Sequence, residues 1–428
     1  MLEDVIACLK ESKADDYEIT NIKKTGWEFY FIKHDLDQNR AKDVEYTNVT
    51  VYKRKEVDGK KYIGKASCEI YPTNTKEEIT TMVEDLVYRA SLLANDDYEL
   101  VKPIKTEETT LQVETNEKMA SDFLATMNQM DETPQADINS YEIFTNVIEK
   151  RFINSQGVDV TQTYPESMLE VVTNARDEKQ EIELYRLYQL GSCDGDSLKK
   201  SVNLTLQYGK DRLQAIPTPD LKTCPVLFST DDSRTIYRYF LDRLNTQYIY
   251  QKVSNWKVGT PISENVEGDK VTLKARKVLP NSSKNFNYDY EGAPIYDCTL
   301  IEDGIPTKLW GDRMFSSYLG LEDTFNVSNY EVSGGTKSEA ELRSGRYLEV
   351  VEFSDFQVSA ISGDIFGEIR LGYYHDGDKV TVVKGGSVSG SLNSYLNKMY
   401  LSKEQVQYNN ALVPSVTKLM DVTITAAE

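Results

Sequence analysis

Histidine is almost missing from this chain: 428 residues contain two, His34 and His375. No H-E-x-x-H is present, and a hydrolytic zinc site with its usual three protein ligands would have to be assembled from other donors. Both histidines lie beside strand-like segments, His375 next to the turn in "YYHDGDK", where a surface imidazole is the expectation. Cysteine is scarce too. Cys8, Cys68, Cys193, Cys224 and Cys298 are odd in number and scattered without a C-x-x-C pair, which argues against a disulfide framework and for reduced thiols in a cytosolic protein. Nor does any window approach the ~20 apolar residues of a membrane helix. The opening "MLEDVIACLKESK" lacks the basic start and apolar run of a leader, and its Leu2, Val5, Ile6 and Leu9 share a helical face instead. Positive charge is in deficit, with 49 Lys and Arg against 69 Asp and Glu, a net −20. Such a surface repels phosphate backbones and anionic membranes, so neither nucleic acid nor membrane is expected as a partner. G-x-S-x-G, G-x-G-x-x-G and phosphate-loop motifs are absent, and the acidic clusters "CDGDS" and "HDGDK" lack the ligand spacing of a calcium loop.

What is present suffices for folded cores: 39% hydrophobic and 10% aromatic residues over a length that suggests roughly two or three domains. "WEFYFIK" and "TNVTVYKRKEVDGKKYIGKASCEIY" predict strands, the latter a hairpin about Asp58–Gly59. Thr75 and Glu78 form a capping box ahead of Ile79, Val83, Leu86 and Ala90 at helical period. A charged connection from about 96 to 117, a Met/Phe-rich helix, further strands turning at Gln156–Gly157, and a helix through "DSLKKSVNLTLQYGKDRLQA" complete the first half. "IPTPDLKTCP", with three prolines, marks the boundary. The expected fold class is therefore α+β: an N-terminal mixed α/β domain over 1–216, then a β-rich, barrel- or sandwich-like domain over 217–428. The second domain is expected to carry one long helix near its start, at about 231–251. Read from residues alone, the chemistry stops at a soluble two-domain protein without a visible catalytic centre.

The second half carries short signals in a definite order. "DYEGAPIYDCTLIEDGIPTKLWGDRMFSSYLGLE" is followed by "SGGTKSEAELRSG" and then by "SGDIFGEIRLGYYHDGDKVTVVKGGSVSGSLNSYL". This succession resembles the C-terminal domain of the TldD/PmbA family, whose members are described as gyrase modulators and metallopeptidases. The first half is compatible through "NSQGVDVTQTY", and "CPVLFSTDD" resembles the family's entry into its second domain.

The resemblance implies a metal held, in the TldD branch, by H-E-x-x-x-H on the helix after that strand and by a later cysteine. Those positions fall here at Arg238, Tyr239, Arg243 and Phe353. Guanidinium groups have no lone pair to offer a cation, and a phenyl ring is no ligand. The chain thus resembles the PmbA (TldE) branch, which lacks the metal motif and partners a TldD-type subunit. No metal or other cofactor is expected. The implied partners are a TldD-like subunit, a second copy of the chain, or both, with unfolded peptide as substrate and the cytoplasm as location. Whether the chain is itself an enzyme stays open. A stand-alone metallopeptidase with an atypical carboxylate-rich site and a peptide-binding scaffold without catalysis are the alternatives. On helix "TIYRYFLDRL", Ile236, Phe240 and Leu244 are expected in a core, Arg238 paired with Asp242, and Arg243 facing solvent or a partner. Gly363, Gly367, Gly385 and Gly386 are candidate contacts for a peptide lying along a sheet edge.

Overall fold

A computed structural model describes residues 1–427. After helix α1 (Leu2–Glu11), strands β1 (Asp16–Ile32), β2 (Asp35–Val57) and β3 (Lys60–Ile70) form an antiparallel meander. Its second turn is Asp58–Gly59, with φ of 53° and 77°, the left-handed pair that a two-residue hairpin requires. Helix α2 (Lys76–Ser91) starts at the Thr75/Glu78 capping box and buries Ile79, Val83, Leu86 and Ala90. The short β4 (Asn95–Asp96) precedes an irregular stretch, then come α3 (Asn116–Met127), β5 (Ala136–Asn154), β6 (Asp159–Arg176), β7 (Glu181–Leu190) and α4 (Gly195–Gln214). One seven-stranded sheet results, in the order β4-β3-β2-β1-β5-β6-β7. Along β6 every second residue from Pro165 to Ala175 is buried, the period-two pattern of a strand with one covered face. Helix α4 lies on that face. A side chain at Gly209 would put its Cβ 2.8 Å from the Cβ of Ala175, so glycine sets the distance between helix and strand. "CDGDS" proves to be a helix start, with Asp194 accepting a hydrogen bond from the Ser197 amide.

The chain passes through β8 (Ile216–Pro217) into β9 (Lys222–Phe228), followed by α5 (Ser233–Asp242) and α6 (Thr246–Tyr250). Then come β10 (Leu273–Arg276), β11 (Cys298–Glu302), β12 (Ile305–Pro306) and β13 (Asn329–Val332), followed by β14 (Tyr347–Val358), β15 (Asp364–Asp376), β16 (Lys379–Lys384) and β17 (Ser387–Ser391). The last strands are β18 (Met399–Leu401), β19 (Gln405–Tyr408), β20 (Ala411–Pro414) and β21 (Thr417–Thr425). β9 pairs β14 in parallel; β14 pairs β15, β15 pairs β17, β17 pairs β21 and β21 pairs β9 antiparallel. The ring closes, which removes free edges from these five strands. A smaller sheet, β12-β11-β10-β13-β20-β19, packs beside it. One large core joins Val226, Phe228, Ile236 and Phe240 of this half to Val101, Phe152 and Val158 of the first.

The single long helix expected over about 231–251 is two short helices. At the break, Asn245 adopts φ −67°, ψ 131°, and its side chain accepts from the Gln247 amide to cap α6. Trp310 takes over the end of α5: its indole N–H donates to Leu241 O at 2.7 Å, and its backbone carbonyl accepts from Thr246 N. An asparagine that hydrogen-bonds the backbone ahead of it competes with the helical ladder, and a tryptophan 69 residues downstream supplies the replacement partner.

Candidate functional site

Helix α5 follows directly from barrel strand β9. Its apolar residues Ile236, Tyr237, Phe240 and Leu241 are buried, and so is Leu244 just past its end, as its helical period requires. Arg238 lies on the outer face, half exposed. Its Nε is 2.7 Å from Asp242 and its guanidinium lies over the Trp310 ring at 6.0 Å. Such a pair contributes about 0.3–0.5 kcal/mol.

Arg243 does not face solvent, contrary to expectation. It is 7% exposed, donating to Val253 O at 2.8 Å, Ile361 O at 3.2 Å and Asn255 Oδ1 at 2.7 Å. The guanidinium lies against the rings of Tyr239, at 5.9 Å, and Trp256, at 5.6 Å, which meet each other edge to face. A flat, weakly hydrated cation with five N–H donors tolerates this burial where an ammonium would not. Tyr239 is also buried, and its hydroxyl donates to Asn393 Oδ1 at 2.8 Å. Gly363 fits beneath that pair, since a Cβ there would stand 2.7 Å from the Asn393 amide nitrogen and 3.3 Å from the Tyr239 hydroxyl. Arg243, Tyr239 and Gly363 therefore converge on the loop before β15, while Arg238 lies apart beside Trp310.

Phe353 belongs to a different group. It stacks on Phe228 and Phe356, with centroids 6.1 and 4.7 Å away. Gly367 makes room for that ring: its absent Cβ would lie 2.6 Å from Phe353 Cδ1. Gly367 is bracketed in the barrel by Phe356 and Val388. Gly385 and Gly386 turn the chain between β16 and β17, where the Gly385 amide donates to Ile369 O and the Gly386 carbonyl accepts from Ile369 N. Each of the four glycines thus has an internal packing task, and the backbone groups named here are already paired within the chain.

The residues at the family's metal positions do not fit a divalent ion. Two are guanidinium groups, one is a phenol held by Asn393, and one is a phenyl ring inside an aromatic stack. Among the described residues, no group of three His, Cys, Asp or Glu side chains is placed to hold a metal. His34 pairs with Glu132 on the surface, and His375 stacks on Tyr347 at 4.3 Å.

A cluster of charges at the start of α5 escaped the sequence reading. Asp231 pairs with Arg234, and Arg186 reaches from β7 to Glu352 on β14 at 3.3 Å. Ser229 donates to Glu349 at 2.6 Å, and Glu349 also accepts from Arg343 at 2.9 Å. Asp231 is half open to water, yet protein walls surround it closely enough that burial raises its carboxyl against the pull of Arg234. Both observations describe a group on the floor of a concavity. Burial, and then the adjacent Asp231, push Asp232 up to about 6. The folded state therefore holds a proton on Asp232 that the unfolded chain releases near 3.8. Its stabilising contribution is present below that value and is lost as pH rises through about 6. Unfolding free energy measured across this window should fall less steeply in Asp232→Asn than in the natural protein; identical slopes would refute the assignment. "STDDS" and Arg234 were visible together, but Arg186, Glu349 and Glu352 lie far along the chain on other elements.

A second group of carboxyls, Glu18, Asp289 and Glu291, lines the junction of the two halves. Burial raises all three, Glu291 furthest because Asp289 and Glu18 add like charge. Asp289, in the "DYEGAP" turn, is held by the amides of Glu291, Ala293 and Asn326.

Residues 221–426 match the sequence model of the PmbA/TldA metallopeptidase C-terminal domain. The metalloprotease TldD homologue of Buchnera aphidicola is 25% identical over 175 residues, a stretch covering 36% of this chain and 36% of that protein. Among solved structures, TldE from Thermococcus kodakarensis superposes with a TM-score of 0.78 at 16% identity, covering 99% of both chains. A candidate modulator of DNA gyrase from Bacteroides thetaiotaomicron gives a TM-score of 0.79 at 15% identity, covering 99% of this chain and 97% of that one. One from Thermotoga maritima gives 0.76 at 16% identity, covering 100% and 99%. A strand meander under helices, joined to a closed barrel whose first helix carries the family's site positions, defines a metallopeptidase-related α+β protein. The second half of the chain, residues 221–426, belongs to the TldD/PmbA family.

Proposed function

We propose that this chain takes part in cytosolic peptide processing as a metal-free subunit, working beside a TldD-like metallopeptidase subunit on unfolded peptide. The observation that carries this reading is Arg243: where the catalytic branch places its second histidine, a guanidinium is buried against two aromatic rings and bonded to two carbonyls and an amide oxygen. A cation built into the packing opposes a second cation at the same place. The likeness in fold to TldE supports the same assignment.

Metal analysis of the purified chain, together with hydrolysis of an unfolded polypeptide by the chain alone and mixed with a TldD-like protein carrying H-E-x-x-x-H, tests the proposal. The expected result is substoichiometric zinc, no cleavage by the chain alone, and copurification with cleavage in the mixture. One zinc per chain, or metal-dependent cleavage by the chain alone, would overturn it.

A further inference from the structure

The strongest unused feature is the floor of the concavity at the start of α5. Glu352 is 7% exposed. Its Oε1 accepts from Arg186, but its Oε2 is buried without any hydrogen-bond partner. An orphaned carboxylate oxygen in a protein interior is costly, and such an atom calls for a missing donor. β9 and β14 run parallel with Phe228 opposite Val350, and Glu352, just beyond that pair, is close enough to Asp232 to act on its carboxyl. Ser233 Oγ, just after the Asp231–Asp232 pair, is likewise buried without a partner, while the Thr230 hydroxyl lies beside the Asp232 carboxyl. Asp232 has no ion-pair partner among the described residues, whereas Asp231 has Arg234 and Glu352 has Arg186. Arg212 on α4 adds a third cation, close enough to Glu352 to interact with its charge, yet no guanidinium donates to the free oxygen of Glu352. A hydrogen-bond donor is what the arrangement lacks, and a primary ammonium supplies up to three, with a positive charge that suits the unpaired Asp232. A divalent ion fits less well, because two fixed guanidinium groups stand beside the site and no three-ligand metal group exists among the described residues. The chain's net charge of −20 raises the local concentration of cations at such a concavity.

We propose that Asp232 and the free oxygen of Glu352 form a binding site for a primary ammonium group, which on the peptide-handling reading above is the free N-terminus or a lysine side chain of a bound peptide. The site gives an extended peptide one fixed end while leaving the rest of its sequence unread, and it sits at the head of the helix that carries the family's site positions.

The test has two arms on the full chain. In the first, n-butylammonium chloride is titrated at constant ionic strength against tetramethylammonium chloride, which carries the charge without hydrogen-bond donors, while carboxyl resonances of labelled aspartate are followed. A saturating shift of the Asp232 resonance with the primary amine alone is expected, and its loss in Glu352→Gln. Equal, non-saturating shifts with both salts would overturn the proposal. In the second arm, a labelled lysine-free peptide is compared with its N-acetylated form and with an N-acetylated form carrying one lysine. Acetylation should weaken binding about tenfold, equivalent to ~1.4 kcal/mol, with the difference vanishing in Asp232→Asn. Recovery by the lysine peptide would identify a side chain as a second source of the ammonium. Equal binding of all three peptides would refute the peptide part. Saturation by the amine with no peptide bound at all would leave the ammonium site standing and remove the peptide-handling reading instead.

Discussion

Arg243→Ala is expected to destabilise the folded chain by about 3 kcal/mol or more, because truncation leaves buried acceptors without donors, each worth ~1–3 kcal/mol. The acceptors are the carbonyls of Val253 and Ile361 and the side-chain oxygen of Asn255. The Tyr239 and Trp256 rings lose the cation packed against them as well. Arg243→Lys should recover part of the loss, since an ammonium keeps the charge but cannot span three acceptors in one plane. Urea unfolding of the three proteins decides the matter. A change within about 0.5 kcal/mol, the range of ordinary surface substitutions, would mean that this arginine is not built into the core. The experiment bears on function as well. If Arg243 closes the place where relatives bind metal, removing it should loosen the segments at 253–255 and 361 without conferring zinc affinity.

Gly386→Ala should be as damaging, and Gly385→Ala should not. Both glycines have left-handed backbones, with φ of 75° and 74°, and a substituent at either costs about 1 kcal/mol or more in strain. Their surroundings differ. A Cβ on Gly386 would lie 2.2 Å from the carbonyl oxygen of Thr425, a backbone atom at the end of β21, which is paired on both sides in the barrel. On Gly385 the nearest atom is the Cβ of Ala427, 2.9 Å away, a single methyl past the last strand rather than a strand carbonyl. The expected losses are about 3 kcal/mol or more for Gly386→Ala and about 1–2 kcal/mol for Gly385→Ala, the first in the range reached only by a named packing fault. Thermal unfolding with peptide-binding measurements on both variants separates the two tasks that glycines here could have. Unchanged stability with weakened peptide binding would restore Gly386 as a peptide contact.

Local signals in the chain translated directly into structure. The Thr75/Glu78 capping box, the Asp58–Gly59 turn and the buried stripe on α5 rest on neighbours within a few residues, and each is present as read. The divalent-metal chemistry of the family positions was equally legible, because Arg238, Tyr239, Arg243 and Phe353 are poor ligands in any environment. The environment of an arginine is another matter. Nothing in "YFLDRLNTQ" announces that the Arg243 guanidinium finds Ile361, 118 residues later, or that Trp310 ends α5. Nor does "STDDS" announce Arg186 or Glu352.

Sequence by itself determined most of the strands and helices, the absence of the family's ligands and the negative surface, all of which depend on residue type and short spacing; the break between α5 and α6 was not among them. Only the tertiary structure decided which charges are buried and which oxygens lack donors, because those depend on what contacts across long loops bring alongside. Closure of the barrel is the clearest instance: β9 pairs with β14 and β21, and that pairing places Glu352 beside a pair of aspartates more than a hundred residues earlier in the chain.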